Sequence, residues 1–369
     1  MKIVHIFNDF KFIDEAQRKY EEGFLNTFVY INSSKSTIIP EYPEVINYST
    51  SRKHQNEIID ICNKADIIIL YSLDWQKIRI LRRLKQDAIV MWRFFGFEIY
   101  NYKKKQFFSR KTVQIYNSTR FSKKNIINSL KFYHIRCFCR FWIMQHSYKK
   151  INYILLICKE EYSLLRTISK DLPKCIVLPL SPKKTIPIQV NVSNKKRKII
   201  IGNSRSYFNN HSDILEITSK YTNRGYGFII PFNYGLNTGY AEIIRNQINQ
   251  MKNHQLLDTF MSYEEYSRLF EDSSAFVLNS IRQLGLGNIF IAIKNGVKIY
   301  INESNVIFTW LRRNNVEIYP VSDLEKDLEN NNIILSNSIA NKNIEALRMI
   351  YLQNPNEVYF DILHTLVKK

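Results

Sequence analysis

The chain has 369 residues, 45% of them hydrophobic and 23% charged, and a formal net charge of +20 at pH 7. This length and apolar content suffice for two cores and exclude a disordered protein. Nowhere do about 18 apolar residues run together, which excludes a membrane-spanning helix. Five cysteines and no apparent secretion signal indicate reduced thiols.

Strand and helix signals alternate through the first half of the chain. Short apolar, β-branched runs are separated by amphipathic stretches, a pattern that predicts parallel strands joined by helices in a doubly wound α/β domain. The predicted strands are residues 2–7, 26–31, 65–70 and 88–92, and the predicted helices are residues 14–23, 55–64 and 75–86.

The second half repeats this alternation after a proline-rich stretch at residues 173–187, which is typical of a linker. Predicted strands follow at 199–202, 226–232, 275–279 and 296–301, with helices at 209–221, 239–251, 262–270, 287–294 and 338–367. We predict a Rossmann-like domain (1–180), a linker (181–195) and a second Rossmann-like domain (196–369). Ligands of such sheets bind at the carboxyl ends of the strands, so we expect a site in a cleft between the domains.

Residues 99–159, the basic segment, contain no Asp or Glu but 14 Lys or Arg and 13 aromatic residues. Cationic side chains interleaved with aromatic rings suit either an anionic bilayer surface or a nucleic acid whose bases stack on the rings. A solvated basic helical face over an ordinary aromatic core is the plainer interpretation. The residues predicted to dock on a surface are Lys103, Lys104, Lys105, Arg136, Arg140 and Trp142.

The first motif with binding chemistry follows the predicted strand at 199–202. Gly202, Asn203 and Ser204 offer backbone amides and a hydroxyl to a phosphate, and Asn209 and His211 stand at the start of the next helix. A plain strand-loop-helix turn with a capping Asn is the alternative interpretation.

A second motif, Arg-Gln-Leu-Gly-Leu-Gly-Asn at 282–288, follows the predicted strand at 275–279 and opens a helix. Its glycines allow close approach of the backbone to a ligand, and its arginine supplies a fixed charge. The two motifs together predict a diphosphate site, whereas their spacing matches neither a dinucleotide motif nor a P-loop. The predicted contacts in the second motif are Arg282, Gln283, Gly285, Gly287 and Asn288.

Two carboxylates at predicted strand ends are candidates for a general base. Glu98 is the last carboxylate before the basic segment, and Asp9 follows the first strand. An ordinary helix-terminal Glu is the alternative for Glu98. A zinc site is not predicted, because the His and Cys residues between 134 and 146 match no standard ligand spacing.

Four motifs occur in the order found in glycosyltransferase family 56, which the chain resembles over roughly residues 65–320. Members of this family are 4-acetamido-4,6-dideoxygalactose (Fuc4NAc) transferases that build the lipid III intermediate of enterobacterial common antigen. The motifs are Trp-Arg-Phe-Phe-Gly-Phe-Glu-Ile-Tyr at 92–100, Gly202-Asn203-Ser204 followed by Asn209-Asn-His211, Pro231-Phe-Asn-Tyr234-Gly with Tyr240, and Arg282-Gln283 with Gly285-Leu-Gly287.

The resemblance implies a GT-B fold, with two Rossmann-like domains facing across a cleft and a C-terminal helix. It implies a glycosyltransferase that uses a dTDP-sugar and no obligatory metal or other cofactor, with Tyr234 packing on the base or sugar. The implied acceptor is an undecaprenyl-diphosphate-linked saccharide at the cytoplasmic face of the bacterial inner membrane. The basic segment would dock a peripheral protein there, and no nucleic acid is expected as a partner.

Two departures from the family pattern bear on specificity. The family's Trp-Gly-x-Asp-Leu-Tyr is Phe95-Gly-Phe-Glu98-Ile-Tyr here, and its phosphate loop continues Gly-Asp where this chain has Arg205-Ser206. The exact sugar and acceptor therefore stay open, and the polysaccharide that is assembled stays open among common antigen, O-antigen and capsule. The competing hypotheses are a nucleic-acid-binding protein that uses the basic segment and an inactive scaffold of a polysaccharide-assembly complex.

Overall fold

A computed structural model describes residues 1–9, 12–20, 23–32, 45–85, 89–120, 141–169, 171–180, 185–353 and 356–368. These residues form one seven-stranded and one six-stranded sheet, with helices between the strands. The strands are β1 (Lys2–Phe7), β2 (Leu25–Asn32), β3 (Val45–Ser49), β4 (Ile67–Tyr71), β5 (Ile89–Arg93), β6 (Tyr153–Leu156), β7 (Lys174–Val177), β8 (Lys196–Ile201), β9 (Gly227–Pro231), β10 (His254–Leu257), β11 (Ser273–Leu278), β12 (Lys298–Ile301) and β13 (Tyr319–Pro320). The helices are α1 (Ile13–Tyr20), α2 (Arg52–Cys62), α3 (Trp75–Leu81), α4 (Phe97–Tyr100), α5 (Arg110–Arg120), α6 (141–147), α7 (Lys159–Ile168), α8 (His211–Ser219), α9 (Gly239–Asn249), α10 (Tyr263–Arg268), α11 (Leu286–Lys294), α12 (Val306–Arg313), α13 (Leu324–Glu329), α14 (Asn337–Leu352) and α15 (Asn356–Val367).

The first sheet has the strand order β3-β2-β1-β4-β5-β6-β7, and all its described strand pairs are parallel. β1, β2, β4 and β5 confirm the four predicted strands. β4 is buried along its whole length, as is typical of a parallel sheet with helices on both faces. β3, β6 and β7 lie outside the predicted strands; each has four or five residues, and β6 lies within the basic segment.

The core of the first domain includes the C-terminal helix α15. Tyr359 is 1% exposed, and its hydroxyl lies 2.8 Å from the Tyr20 hydroxyl, so the two phenols are hydrogen-bonded inside the core. Phe360 packs edge-on against Phe24, with 4.8 Å between ring centroids. Residues 356–368 thus belong to the first compact unit, whereas the predicted boundary assigns them to the second domain.

The second sheet has the strand order β10-β9-β8-β11-β12-β13, again parallel in its described pairs. β8, β9, β11 and β12 confirm the four strands predicted in this half. β8 and β11 are neighbours, and β11 is buried along its whole length. The predicted helix at 338–367 is two helices, α14 and α15, which belong to different compact units.

Residues 103–120, here called the strap, pack on the second domain, although the predicted boundary places the whole basic segment in the first. Phe107 and Phe108 are 3% and 6% exposed. The Phe108 ring contacts Tyr207 edge-on, with 4.9 Å between centroids, and α5 packs on α8 and α9. Because burying a Phe side chain contributes about 1.5–3 kcal/mol, these rings bind the strap to the second domain.

We expect Gly239→Ala to destabilise the second domain at the contact between α5 and α9. The added Cβ would lie 2.7 Å from the Thr119 Cβ and 2.8 Å from its Cγ2. Overpacking of this kind typically lowers the free energy of unfolding by about 1–3 kcal/mol, which urea unfolding resolves.

Gly287→Ala is the matched control for Gly239→Ala. A Cβ at Gly287 would meet nothing within 4 Å in the described part of the chain, so little change in stability is expected. Equal unfolding midpoints for the two variants would contradict the close packing of α5 on α9.

Candidate active site

The two glycine-containing motifs of the second domain meet at the carboxyl edge of its sheet. Residues 202–204 follow β8 and residues 282–288 follow β11, and these two strands are neighbours. The Asn203 side-chain nitrogen lies 3.4 Å from the position that a Cβ on Gly285 would occupy. The structure therefore brings the two predicted motifs together.

The loop at 202–204 depends on a glycine and an asparagine. Gly202 has φ +70°, and an ideal Cβ on it would lie 2.9 Å from Nε2 of His211, so only glycine fits. Asn209 is 1% exposed; its Oδ1 accepts from the Asn203 main-chain N–H at 3.3 Å, and its Nδ2 donates to the Ser204 carbonyl at 3.0 Å. Asn209 thus holds the loop in shape through its backbone.

His211 is the first residue of α8 and is fully buried. Its main-chain N–H donates to the Tyr240 hydroxyl at 3.0 Å, and its Nδ1 lies 3.1 Å from the same oxygen. Burial lowers the pKa of His211 to about 3, so the ring is neutral at physiological pH.

Arg282 lies at the start of the second motif and is 7% exposed. Its guanidinium carbon sits 4.3 Å from the centroid of the Phe208 ring, and its Nη1 donates to the Gln283 carbonyl at 2.9 Å. Asn305 donates to the carbonyls of Ser280 and Arg282, both at 2.8 Å, and caps α12 through its Oδ1. Sequence reasoning missed Asn305, whose only signal is an N-cap position after β12.

Asn210 connects the two motifs to the strap and was also missed. It is 0% exposed and has φ +49°, a left-handed conformation that Asn tolerates better than most residues. Its Oδ1 accepts from the Ser109 main-chain N–H at 2.9 Å. Its Nδ2 donates to the carbonyls of Asn279 at 2.9 Å and Phe107 at 3.3 Å. One side chain therefore bonds to three residues in two separate stretches of the second domain, the strap and the end of β11.

The nine-residue helix α11 begins at the same sheet edge, directly after Gly285. Gly285 has φ +69°, and the backbone at Gly287 is open within the described part of the chain. Asn288 donates through Nδ2 to the Tyr266 hydroxyl at 2.7 Å, so its side chain is bound to α10. Backbone amides and the partial positive charge of a helix N-terminus favour an anion here.

Arg205, one of the departures from the family pattern, bonds to the loop after β9. It donates through Nε to the Phe232 carbonyl at 2.7 Å and pairs with Asp258 at 3.0 Å. Its main-chain N–H donates to the Tyr234 carbonyl at 2.9 Å. The added charge is thus paired with Asp258, while the Tyr234 side chain is 64% exposed and its contact with a base or sugar stays a prediction.

Glu98, the first candidate base, is 2% exposed at the start of α4 in the first domain. Its carboxylate accepts hydrogen bonds from the main-chain N–H groups of Leu73 and Phe95 and from Nε1 of Trp92, each at 3.3 Å. Burial raises the pKa of Glu98 to about 7, against the effect of these hydrogen bonds. Glu98 therefore joins the loops after β4 and β5, and its role as a base stays a prediction.

Asp9, the second candidate base, follows β1 and Asn8, and Asn8 lines a cavity of ≈ 240 Å³ in the first domain. Tyr30 lines the cavity, and its pKa is raised mainly by burial and to a smaller extent by the charge of Asp9. Asp74 also lines it and accepts from Asn8 Nδ2 at 2.8 Å. Sequence reasoning missed Asp74, although its N-cap position after a strand was a usable signal. The residues around the cavity are Asn8, Tyr30, Ile31, Thr50, Asp74, Trp75 and Gln76.

The predicted docking residues fall into described and undescribed groups. Arg136 and Arg140 lie outside the described residues. Lys103 and Lys105 are exposed on the strap, while the Lys104 ammonium sits 4.5 Å from the centroid of the Tyr116 ring. In the first domain, Trp142 is 51% exposed.

The described part of the chain contains neither a metal-binding cluster nor a helix that could span a membrane. There, no group of three or more His, Cys, Asp or Glu side chains is arranged to hold a metal ion. The described helices include none with the length and apolar character needed to cross a bilayer. The described cysteines Cys62, Cys158 and Cys175 are free.

The buried Glu98 carboxyl is expected to make the protein less stable as pH rises. The pKa of Glu98 is about 7 in the folded protein, compared with an ordinary value of 4.5, so the native state binds the proton more tightly than the unfolded state. This stabilisation is lost as pH rises through 7. Glu98→Gln keeps an acceptor oxygen and removes the titration. Urea unfolding between about pH 5 and 8 should show the wild type losing roughly 2–3 kcal/mol relative to the variant. Parallel curves for the two proteins would contradict this assignment.

Comparison with known proteins adds a family and a fold. A family described as 4-alpha-L-fucosyltransferase, glycosyl transferase group 56, matches residues 141–358. A glycosyltransferase from Rickettsia africae ESF-5 is similar with a TM-score of 0.62 at 12% identity, over 100% of this chain and 99% of that chain. Sucrose-phosphate synthase from Thermosynechococcus elongatus gives 0.61 at 10% identity, over 99% and 100%. An E. coli trehalose-6-phosphate structure bound with UDP-2-fluoro glucose gives 0.61 at 10% identity, over 100% and 99%.

Structural likeness at such low identity establishes the fold alone: the two parallel-sheet α/β domains have the GT-B architecture, as predicted. The family match spans more than half of the chain and includes both motifs at the carboxyl edge of the second sheet. Membership implies a nucleotide-sugar donor and an acceptor. The chain therefore belongs to glycosyltransferase family 56, the 4-alpha-L-fucosyltransferase group, and is a glycosyltransferase.

Proposed function

We propose that the protein transfers a Fuc4NAc-like sugar from a dTDP-sugar to an undecaprenyl-diphosphate-linked saccharide in the assembly of a bacterial surface polysaccharide. The observation that carries the proposal is the meeting of the Gly202 and Gly285 loops beside the buried Arg282. Doubly wound domains bind nucleotide phosphates at this edge of the sheet. Common antigen, O-antigen and capsule are the candidate products.

The leaving diphosphate sets the main electrostatic demand of the reaction. The bond from the sugar C1 to the β-phosphate oxygen breaks, an acceptor hydroxyl oxygen bonds to C1, and the hydroxyl proton leaves. Arg282, held on the Phe208 ring, and the N-terminus of α11 supply positive charge for the diphosphate. We propose that these groups provide the stabilisation that a metal ion gives in other transferases; transfer assayed in EDTA tests this.

The acceptor hydroxyl needs a base, and the two candidate carboxylates differ in their surroundings. Glu98 is 2% exposed and accepts three N–H groups, which supports a positioning role for the loops after β4 and β5. Asp9 follows Asn8 and acts electrostatically on Tyr30, and both of these residues line the cavity of ≈ 240 Å³. We therefore propose Asp9 as the group that contacts the acceptor; Asp9→Asn should lower kcat, and unchanged kcat would refute the assignment.

A lipid-linked acceptor requires contact with the membrane, and the surface chemistry supports it. The net charge is +20, Lys103 and Lys105 are exposed, and Trp142 is 51% exposed. Each Lys or Arg near an anionic leaflet contributes about 1 kcal/mol, and Trp settles at the headgroup level. We propose peripheral docking on the cytoplasmic face of the inner membrane, which sedimentation with phosphatidylglycerol vesicles tests.

Thermal unfolding with nucleotides tests the donor class. dTDP is expected to raise the midpoint more than UDP, GDP or a short oligonucleotide at matched ionic strength. A ligand that binds only the folded protein stabilises it by about 2.7 kcal/mol at a hundredfold excess over Kd. Preference for UDP or GDP would keep the transferase and overturn the dTDP-sugar, whereas stabilisation by the oligonucleotide alone would favour the nucleic-acid alternative.

Arg282→Gln is expected to weaken dTDP binding about tenfold or more, because hydrogen bonds to charged groups contribute about 1.5–3 kcal/mol. Arg312→Gln is the matched control: Arg312 also lies against a Phe ring, 5.8 Å from the Phe308 centroid, but it is exposed near the end of α12. Calorimetric titration gives both Kd values. Equal affinities would remove Arg282 from the donor site.

A further inference from the structure

One ring nitrogen of the buried His211 side chain has no hydrogen-bond partner among the described residues. The residue is 0% exposed, and Nδ1 lies 3.1 Å from the Tyr240 hydroxyl. Nε2 is fully buried and has neither donor nor acceptor within reach in the described part of the chain. Native proteins pair nearly all such atoms, so an exception points to a ligand.

The hydrogens around the Tyr240 oxygen decide which ring nitrogen of His211 carries a proton. The Tyr240 oxygen accepts from the His211 main-chain N–H at 3.0 Å. Burial raises the pKa of Tyr240, so the phenol keeps its hydrogen at physiological pH. With that hydrogen bond accepted, the Tyr240 hydroxyl has its own hydrogen left to donate, and Nδ1, at 3.1 Å, is the acceptor in reach among the described residues. The neutral ring then carries its hydrogen on Nε2.

Nε2 of His211 is directed at the loop that follows β8. An ideal Cβ on Gly202 would lie 2.9 Å from Nε2, so the ring contacts the left-handed turn that opens residues 202–204. Phe232 packs edge-on against the imidazole, with 5.6 Å between centroids, and helps to fix the ring plane. The one unpaired donor of this buried cluster thus stands at the loop where a diphosphate is proposed to bind.

We propose that Tyr240 fixes His211 as the tautomer with hydrogen on Nε2, and that this N–H donates to a diphosphate oxygen of the nucleotide. The inference rests on the proposed function, because it takes the ligand to be a nucleoside diphosphate. His211 contacts the ligand, whereas Tyr240 is a positioning residue that acts through it. A donor that gives up no internal hydrogen bond on binding is pre-organised for an anion.

The strap bonds to the residue that precedes His211. Ser109 donates to the Thr112 hydroxyl at 3.2 Å, and the Ser109 main-chain N–H donates to Asn210. The strap is therefore bonded to Asn210, the residue before His211, through the Ser109 main-chain N–H and the Phe107 carbonyl.

Nitrogen-15 NMR of protein labelled at histidine reads the tautomer directly. Without nucleotide, we expect His211 Nε2 to resonate as a protonated, pyrrole-like nitrogen and Nδ1 as a pyridine-like one; His211→Asn identifies the signals. Addition of dTDP is expected to shift Nε2 more than Nδ1. A protonated Nδ1 in the wild type would overturn the proposal, because Nε2 would then present a lone pair to the diphosphate.

Calorimetry with dTDP and with thymidine separates phosphate contacts from base contacts. His211→Asn retains a partner for Tyr240 but lacks an N–H at the Nε2 position, so its affinity for dTDP should fall about tenfold or more while thymidine is unaffected. His211→Gln places an amide N–H nearer that position and should recover part of the loss. Tyr240→Phe removes one hydroxyl and keeps the packing, so it serves as a second variant if His211→Asn fails to fold. It should weaken dTDP binding several-fold.

The outcomes distinguish this inference from the proposed function. If the wild type binds dTDP and both His211→Asn and Tyr240→Phe bind it equally well, the inference is overturned and the donor site survives. If the wild type binds none of dTDP, UDP or GDP, the proposed function fails. The ring nitrogen spectrum without nucleotide still tests the role of Tyr240 in that case.

Discussion

Side-chain amides hold the loops at the carboxyl edge of the second sheet, and the candidate donor site depends on them. Asn209 bonds to the backbone after β8, Asn305 bonds to the backbone after β11, and Asn210 joins both regions to the strap. Gly202 and Gly285 adopt left-handed conformations within these loops. The loops are therefore held by directed hydrogen bonds rather than by apolar packing alone, which gives a polar site a defined shape.

The same edge shows how a strongly basic chain uses its charges selectively. Arg205 is paired with Asp258 and connects two loops, so little of its field is available to a ligand. Arg282 is stacked on Phe208, whose aromatic face orients the guanidinium. The net charge of the whole chain therefore does not predict the local charge that a donor phosphate would meet, because ion pairs such as Arg205–Asp258 decide it.

The sequence pattern predicts those parts of the structure that depend on interactions between residues close together in the chain. The apolar runs of β8 and β11 and the turn glycines Gly202 and Gly285 are encoded within a few residues of each other. Contacts between distant residues are not encoded in this way: Asn210 bonds to the carbonyl of Phe107, 103 residues earlier, and Tyr359 bonds to Tyr20 across 339 residues. The position of Glu98 after a strand was readable, whereas its burial and its three donors follow only from the assembled fold.

Neither compact unit is one continuous stretch of chain. The described part of the first unit comprises residues before 103, those from 141 to 180 and those from 356 to 368, and the strap and residues 185–353 make up the second. During synthesis, the surface that α15 covers therefore stays exposed until almost all of the second unit has been made, and Phe108 emerges well before Tyr207, its partner. Proteins of this size usually fold domain by domain from the N-terminus. Here the first unit cannot complete its core until α15 has been made, after the described residues of the second unit.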